Sequence, residues 1–532
     1  MDARPTTPPR PPGTPDDVIV TWEARTPVPP EGADLGIAVP GPPERPPPLH
    51  RLVVLGDSLS HGLTHGAVAG TALSWPSILA GAAGIEGFRA PTHDEPDALP
   101  GLPLNLAALL DAVADVVPSS VWQPVRHARL LGRVRARMGA SEDHWERGPG
   151  TTPPPPDAPR NHALACWGWD LRDALSRTPA WCRARIAAAG TANDLVRQVP
   201  SAAGERSALR VLAGAADNET ALDVATRLGA EVGADGATGI DTLVVALGAN
   251  NVLGTVFSFR VVWTDDTEQH RDLEAKHRFN VWRPTHFAEE LDVLVAAVRR
   301  IGARRVVWCT VPHVTVAPML RGIGTKRDDS RWFDRYGRPW FDDADHARGG
   351  HLTMTAEQLR VLDSCVDQYC DAIVSRVADG RRRGDDWLVL DLAGLLDRLA
   401  YRRYVTDGDA RPDWWTPYLL PPALAALEPP PDTRYLLAGP AGRTQGGLVS
   451  VDGVHPTTVG YGILAHEVLG VLQRAGADLP AGPGAAVDFA ALAAADRFVT
   501  APPATLTDAV ATVGRVAGLA DGALRLFGRP PL

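Results

Sequence analysis

Cysteine is scarce in this chain, and the common metal and nucleotide motifs are missing from it. The 532 residues include five cysteines, an odd number, and no two of them form a CxxC pair of the kind found in zinc sites. Neither an HExxH motif nor a phosphate-binding GxxxxGK motif is present. We therefore predict that the protein uses no metal and no other cofactor, and that its cysteines are reduced thiols.

Long apolar runs are also missing. No stretch reaches the roughly 18 uninterrupted apolar residues that a membrane span requires, and the first residues are rich in proline rather than apolar as in a secretory signal. Lysine occurs only at Lys276 and Lys326, and with a net charge of −10 the chain lacks the dense basic face that binds phosphate backbones. We predict a soluble, cytoplasmic protein with no transmembrane segment and no nucleic-acid partner.

The chain does contain enough apolar sequence for a large core. Apolar residues make up 45% of it and charged residues 22%, values typical of globular proteins. Composition divides the chain into three parts. These are a proline-rich arm over 1–50, a main domain over 51–478 and an alanine-rich, helical extension over 479–532.

Five apolar runs in the main domain predict strands. They cover 51–55, 183–190, 240–248, 304–311 and 387–391. Helical patterns lie between them, and strands that alternate with helices favour a parallel sheet with helices on both faces. The predicted fold class is therefore α/β, with three layers.

Four stretches interrupt this alternation. These insertions lie at about 88–160, 256–284, 313–352 and 401–447. Since the loops at the carboxyl edge of a parallel sheet form its binding crevice, the insertions are candidates to shape a substrate pocket. Within the second insertion, the run from Val256 to Trp263 predicts a β-hairpin.

The first predicted strand ends in Gly56-Asp57-Ser58-Leu59. A glycine at the carboxyl end of a buried strand permits a tight turn that lifts the following side chains into the crevice, where ligands of open α/β sheets bind. Ser58 is therefore a candidate nucleophile. The alternative is an ordinary turn in which Ser58 caps the next helix.

A second candidate group, Asp452-Gly453-Val454-His455, lies near the other end of the chain. The three-residue spacing lets the carboxylate accept from one imidazole nitrogen while the other nitrogen faces a serine. The alternative is a capping turn before the following helix, with an exposed histidine. Among the other histidines, His313 is the best candidate for a pocket residue because it follows a strand. His61 and His65 are weaker candidates, since no acidic residue stands at a suggestive spacing from them.

Taken in order, these blocks resemble the SGNH, or GDSL-type, hydrolase family. Gly56-Asp57-Ser58-Leu59 is similar to its first block, Gly190 to its second, Gly248-Ala249-Asn250-Asn251 to its third and Asp452-Gly453-Val454-His455-Pro456 to its last. The resemblance covers roughly residues 52–472. One difference is Asn251, because the third block of the family usually ends in aspartate. Asn250, to which the resemblance assigns a catalytic role, is retained.

The resemblance implies a flavodoxin-like sheet of strand order 2-1-3-4-5 and a serine hydrolase mechanism. Ser58 is expected to attack the substrate, His455 to act as its base and Asp452 to orient and stabilise the imidazole. The backbone N–H groups of Ser58 and Gly190 and the side-chain amide of Asn250 are expected to form the oxyanion hole.

We therefore predict an enzyme that hydrolyses a carboxylic (acyl) ester through an acyl-serine intermediate. A small-molecule or lipid ester is the expected substrate, since segment 306–318 resembles the lipase-like members of the family more than its sugar deacetylases. The same triad would serve an acyltransferase or a carbohydrate deacetylase. An alternative of another class is a catalytically silent binding module, and the retention of Ser58, Asn250, Asp452 and His455 together argues against it.

Overall fold

A five-stranded, all-parallel sheet forms the centre of the protein. The computed structural model describes residues 7–40, 47–93, 101–117, 123–190, 199–326 and 330–519. The sheet strands are β1 (His50–Gly56), β2 (Ala163–Ala165), β3 (Ile240–Ala246), β4 (Arg305–Cys309) and β5 (Trp387–Leu390). They lie side by side in the order β2, β1, β3, β4, β5.

Apolar side chains cover both faces of this sheet. In β1, Val53 and Leu55 enter one core while Leu52 and Val54 enter the other, because successive side chains of a strand point to opposite faces. Helices bury both faces, which is why the strands read as continuous apolar runs. The prediction of an α/β fold with helices around a parallel sheet is confirmed.

Helices form the two outer layers. The α-helices of the described residues are α1 (Ser58–His61), α2 (Trp75–Ala82), α3 (Leu106–Val113), α4 (Pro124–Arg147), α5 (Leu171–Ser176), α6 (Pro179–Ala189), α7 (Ala203–Val211), α8 (Ala221–Ala230), α9 (Gly254–Ser258), α10 (Pro284–Ile301), α11 (Asp343–Ala347), α12 (Ala356–Arg382), α13 (Leu392–Leu399), α14 (Pro422–Ala425), α15 (Thr458–Arg474), α16 (Phe489–Ala495), α17 (Arg497–Thr500) and α18 (Leu506–Leu519). Helices α8, α10 and α12 pack on the face that holds Val53. Helices α2, α13 and α15 pack on the opposite face.

Shorter strands form antiparallel sheets outside the central one. The first of these has strands Leu63–Thr64, Ala67–Val68 and Leu102–Pro103, the second has Arg321–Lys326, Phe333–Gly337 and Met354–Thr355, and a hairpin joins Leu437–Gly439 to Gly442–Gln445. The first of these sheets contains the residues that directly follow α1, so it lies close to the carboxyl end of β1.

The carboxyl ends of β1, β2 and β3 stand level with one another. Gly56, the last residue of β1, pairs with Ala165 of β2 on one side and with Ala246 of β3 on the other. The segments that follow these three residues therefore leave the sheet side by side. This register decides which loops meet at the edge of the sheet.

The predicted second strand is wrong. Residues 183–190 lie in and just after helix α6, in which Thr178 is the N-cap and Pro179 occupies the first turn. Among the alanines and arginines of this run, Ile186 is the one β-branched residue, and alanine and arginine favour a helix. The second strand of the sheet, β2, consists of three residues, Ala-Leu-Ala, and is too short to show an apolar pattern of its own.

The predicted hairpin is wrong as well. Residues 256–258 belong to helix α9, and Trp263 forms an isolated parallel bridge with Val281.

The described part of the proline-rich arm packs against the main domain, because Val18 is fully buried and Arg25 forms an ion pair with Asp391.

The C-terminal extension is helical as far as the structure describes it. Helix α16 packs against α15, and the ring of Phe498 in α17 lies 4.4 Å from the ring of His65. Residues 520–532 of the extension lie outside the described residues. Within the described part of the chain, no helix has both the length and the apolar character needed to cross a membrane.

Candidate active site

Ser58 begins helix α1 directly after β1. No side chain fits at Gly56, because a Cβ there would overlap the side chain of Ser60. Asp57 is the N-cap of the helix, and its carboxylate accepts from the Leu59 N–H at 3.0 Å. Ser58 is therefore the first helical residue, and its own N–H has no acceptor within the helix.

Ser58, His455 and Asp452 form one chain of hydrogen bonds. Ser58 Oγ lies 3.0 Å from His455 Nε2, and His455 Nδ1 lies 3.2 Å from Asp452 Oδ2. The three residues are buried, with 4%, 3% and 2% of their surfaces exposed, respectively. The structure thus brings together the serine, the histidine and the aspartate that the sequence suggested, although Ser58 and His455 are 397 positions apart.

Four hydrogen bonds hold the Asp452 carboxylate. Its Oδ1 accepts from the backbone N–H groups of Val454 at 2.9 Å and His455 at 2.8 Å. Its Oδ2 accepts from the Gly66 N–H at 3.0 Å and from His455 Nδ1. Burial alone would raise the pKa of Asp452, but the charge of His455 and these bonds outweigh it and lower the pKa to about 2. The ionised carboxylate keeps the proton of the imidazole on Nδ1.

The loop before α15 presents His455 to the serine. Gly453 has φ +72°, and a Cβ there would lie 3.0 Å from the Tyr435 ring, so glycine allows the loop to pass close to its neighbours. Thr457 caps α15 with its side chain. The capping turn that the sequence offered as an alternative is therefore present, but it leaves His455 facing Ser58 rather than solvent.

Asn250 follows β3 in a turn that requires glycine at Gly248, where φ is +124° and a Cβ would lie 2.6 Å from a valine side chain. The Asn250 side chain donates one amide hydrogen to Trp169 O at 2.9 Å. Its second amide hydrogen has no acceptor among the described residues and is available to a ligand. Asn251 is fully buried, and its Oδ1 accepts from the Leu171 N–H at 3.4 Å. The Asn251 side chain therefore holds the first residue of helix α5.

A tight turn after β2, the Gly168 turn (residues 166–169), lies beside this asparagine. Trp169 N donates to Cys166 O at 3.2 Å, and Gly168 has φ +78°, the positive value that the third residue of a type II turn requires. Cys166 N donates to Gly56 O at 3.3 Å, and Asn250 bonds Trp169 from the other side. Gly168 is exposed, and a Cβ on it would meet no atom within 4 Å. Its backbone therefore borders open space next to Asn250.

Gly190, the oxyanion-hole residue predicted for the second block, does not follow a strand. It follows helix α6, is exposed to solvent, and its carbonyl accepts from Ser201 Oγ at 3.1 Å. Among the described contacts, none joins Gly190 to Ser58 or Asn250. The premise of this assignment was a strand at 183–190, and that segment is helical. The glycine that follows the second sheet strand is Gly168.

A buried ion cluster fixes the helix that follows the Gly168 turn. Asp170 caps α5 and forms a capping box with Asp173, and Lys276 Nζ lies 2.6 Å from a carboxylate oxygen of each. Arg177 donates to Asp173 at 2.7 Å. The two acidic residues with a three-residue spacing directly after Gly168 are a helix-start signal. This signal marks the start of the helix that follows β2, and the sequence analysis did not use it.

Two further histidines that the sequence singled out have structural partners. Each ring nitrogen of His313 lies 3.0 Å from a carboxylate, one from Asp397 and one from Asp367. Burial would lower the pKa of His313, but these carboxylates raise it well above its ordinary value, so this residue is part of an ion cluster. The His65 N–H donates to Ser450 Oγ at 3.0 Å, and burial lowers the pKa of the His65 imidazole to about 4. His65 therefore supports the loop that carries Asp452.

An apolar cleft lies next to α1 at the carboxyl edge of the sheet. Its apolar lining includes Leu59, Trp75, Leu247, Leu392, Leu464 and Val468. Asp57 also lines it, and burial raises the pKa of this carboxyl to about 7 although the Leu59 N–H opposes the shift. The cleft thus offers mainly apolar surface directly beside the residue that precedes Ser58.

The site contains no arrangement of metal ligands. Within the described ranges, no group of three or more histidine, cysteine, aspartate or glutamate side chains is placed to hold a metal ion.

A scan against protein-family models and a search of curated proteins found no match to the chain. Function is therefore inferred from the geometry and chemistry of the site.

Proposed function

We propose that the protein is a serine esterase of the SGNH type, which hydrolyses a carboxylic ester through an acyl-serine intermediate. The observation that carries this proposal is the hydrogen-bonded chain from Ser58 through His455 to Asp452. A serine hydroxyl is a weak nucleophile at neutral pH and needs an adjacent base whose orientation a third group fixes. The distances among these three side chains suit those roles.

The reaction consists of two half-reactions. Ser58 Oγ attacks the carbonyl carbon as its proton moves to His455 Nε2, and Asp452 stabilises the imidazolium through Nδ1–H. The tetrahedral intermediate collapses when His455 gives this proton to the oxygen of the leaving alcohol, which leaves an ester on Ser58. A water molecule then attacks this ester with His455 as its base, and the carboxylic acid departs from the regenerated serine.

We assign the oxyanion hole to the backbone N–H groups of Ser58 and Gly168 and to the side-chain amide of Asn250. The Gly168 turn is bonded to the end of β1 through Gly56 O and to Asn250 through Trp169 O. These bonds bring the three donors to one edge of the sheet. Fixed donors aimed at the developing oxyanion stabilise the transition state without reorganisation.

The arrangement of the sheet supports this assignment. The order β2, β1, β3, β4, β5 corresponds to the order 2-1-3-4-5 of a flavodoxin-like SGNH domain when β2 takes the place of the wrongly predicted strand. In such sheets, ligands bind at the carboxyl edge between the first and third strands, where the strand order reverses. Ser58 follows β1 and Asn250 follows β3, so both stand at this point.

The apolar cleft favours the acyl part of an ester as its occupant. Its lining of leucine, valine and tryptophan side chains offers apolar surface to an acyl chain beside Asp57 and Leu59, the two residues that flank Ser58. We therefore propose a small-molecule or lipid ester as the substrate. The five cysteines are buried and form no disulfide, which fits action in the reducing cytoplasm.

Labelling with a fluorophosphonate tests this function. The purified full-length protein should form a covalent adduct at Ser58, identified by mass spectrometry, and should hydrolyse p-nitrophenyl esters. His455→Ala should be labelled at least roughly 100-fold more slowly, since a general base typically contributes a factor of this size or more. An adduct on another residue, or neither labelling nor hydrolysis, would contradict the proposal. A series of acyl lengths would then show how much of the cleft the acyl chain fills.

Gly168→Ala and Gly190→Ala form a matched pair that tests the oxyanion hole. The two glycines have φ values of +78° and +68°, both are exposed, and a Cβ on either would meet no atom within 4 Å. Both variants therefore place a side chain at a positive φ without a clash, and Gly190, with ψ −171°, lies in a region that is almost exclusive to glycine, so the control variant is strained as well. We expect Gly168→Ala to lower kcat by roughly 100-fold, because relaxation of the turn redirects its N–H. Gly190→Ala should keep a kcat near that of the wild type, and a large loss there would return the role to Gly190.

A further inference from the structure

His61 is the last residue of α1, one turn after Ser58, and is 1% exposed. Its Nδ1 accepts a hydrogen bond from the backbone N–H of Trp167 at 3.2 Å. We propose that His61 is a positioning residue for the oxyanion hole, because its bond to Trp167 fixes the N–H of Gly168 relative to Ser58. The inference rests on the proposed esterase function and adds a residue outside the triad.

Two of the proposed oxyanion donors belong to different segments of the chain. The Ser58 N–H is part of α1, whereas the Gly168 N–H is part of the turn after β2. A tetrahedral oxyanion needs both donors at hydrogen-bond distance at the same time. His61 stands on the same short helix as Ser58 and bonds the residue immediately before Gly168. It is therefore a direct link between the two donors.

Other hydrogen bonds hold the first and last residues of the Gly168 turn, whereas His61 bonds the backbone in the middle of the turn. The first residue of the turn donates to β1 at 3.3 Å, and Asn250 donates to the carbonyl of the last residue at 2.9 Å. The indole of Trp167 donates to Ser207 Oγ at 2.9 Å. That bond restrains the side chain, while the peptide that carries the Trp167 N–H is held by His61.

The imidazole of His61 is in the form that this role requires. A ring nitrogen that accepts carries no proton, so the proton lies on Nε2. Burial lowers the pKa of His61 to about 3, and His61 therefore stays neutral at neutral pH. The ring of His93 stands edge-on at 5.0 Å, and burial also lowers its pKa well below the ordinary value. His61 Nδ1 thus remains a hydrogen-bond acceptor at every pH well above about 3.

Packing does not explain why a histidine occupies this position. His61 Nε2 is buried and has no hydrogen-bond partner among the described residues. A buried N–H without a partner costs stability, and an apolar side chain would avoid that cost. Residues that lower stability in this way are expected where function requires them. The useful atom of His61 is therefore Nδ1.

Asparagine and glutamine at position 61 separate the two ring nitrogens. In His61→Asn the side-chain oxygen can occupy the position of Nδ1, whereas in His61→Gln the longer side chain carries its oxygen toward the position of Nε2. We expect His61→Gln to lower kcat roughly 10- to 100-fold, approaching the loss of one oxyanion donor, with little change in KM. His61→Asn should recover most of the wild-type kcat. Equal values of kcat for the two variants, or a loss confined to KM, would overturn the inference.

A double-mutant cycle with Gly168→Ala tests whether His61 acts through the turn. The double variant His61→Gln/Gly168→Ala should lose little more activity than Gly168→Ala alone, because both changes displace the same N–H. If the two losses multiply, His61 acts elsewhere and the inference fails, while labelling of Ser58 in the wild type still supports the esterase. A wild-type protein that is neither labelled at Ser58 nor able to hydrolyse esters would overturn the proposed function itself.

Discussion

Ser58→Ala is expected to lower kcat for p-nitrophenyl acetate by at least about 10⁴-fold, since removal of a triad serine costs up to about 10⁶-fold and leaves the contribution of the oxyanion hole and binding. In the proposed mechanism this hydroxyl forms the covalent bond to the acyl group, and among the described residues it is the hydroxyl that bonds His455 Nε2, at 3.0 Å. The same variant should form no fluorophosphonate adduct. Hydrolysis is measured by release of p-nitrophenol, and the adduct by intact mass.

Ser60→Ala is the matched control for this experiment. Ser60 lies two residues later on the same helix and is fully buried, and its Oγ has no hydrogen-bond partner among the described residues. Loss of that hydroxyl removes an unsatisfied group and leaves the His455 pair intact. Ser60→Ala should therefore hydrolyse the ester at close to the wild-type rate. Equal rates in the wild type and Ser58→Ala would show that Ser58 is not the nucleophile.

The triad residues could be predicted because each block builds its own local geometry. Asp57 caps the helix that Ser58 begins by accepting from the N–H two residues later. Asp452 accepts from the backbone N–H groups of Val454 and His455, so its position relative to the imidazole is set within four residues. Short-range hydrogen bonds of this kind depend on residue type and spacing. Sequence patterns carry that information directly.

The second strand of the sheet could not be located in the same way. Strand β2 has three residues, and its place beside β1 depends on pairing between segments more than 100 positions apart, as for Gly56 and Ala165. A short strand inside a parallel sheet is specified by its neighbours rather than by its own pattern. The sequence predicts a strand at 183–190 because this run ends in glycine, but residues 183–189 belong to the alanine-rich helix α6. The pairing of β2 with β1 therefore shows that Gly168, and not Gly190, follows the second strand of the sheet.

Asp452→Asn is expected to lower kcat roughly 10³- to 10⁴-fold in a protein that still folds. Oδ1 accepts two backbone N–H groups, so the amide oxygen of asparagine takes that place and the amide nitrogen takes the place of Oδ2. The nitrogen then donates to His455 Nδ1, and the imidazole proton moves to Nε2. A protonated Nε2 cannot accept the proton of Ser58. The measurement is kcat for the ester, with folding checked by circular dichroism.

Asp57→Asn is the control, since it removes a second buried carboxylate, the one beside Ser58. The amide oxygen can still accept from the Leu59 N–H, so the cap of α1 is retained. Asp57 does not hydrogen-bond to the imidazole, and the tautomer of His455 is therefore unaffected. We expect a far smaller loss of kcat than for Asp452→Asn. Equal losses would show that negative charge near the site matters rather than the tautomer.

The same two variants should change stability with opposite sign. The pKa of Asp452 is lowered from 3.8 to about 2, so its ionised form stabilises the fold above about pH 4, and this contribution is lost as the pH falls toward 2. Burial raises the pKa of Asp57 from 3.8 to about 7, so its ionisation costs stability as the pH rises from about 4 to 7. At about pH 8, Asp452→Asn should therefore lower Tm and Asp57→Asn should raise it, and both differences should shrink below about pH 4. Tm shifts of the same sign at pH 8 would contradict the two opposite environments, in which the Asp452 carboxylate accepts four hydrogen bonds whereas burial dominates at Asp57 despite its bond from the Leu59 N–H.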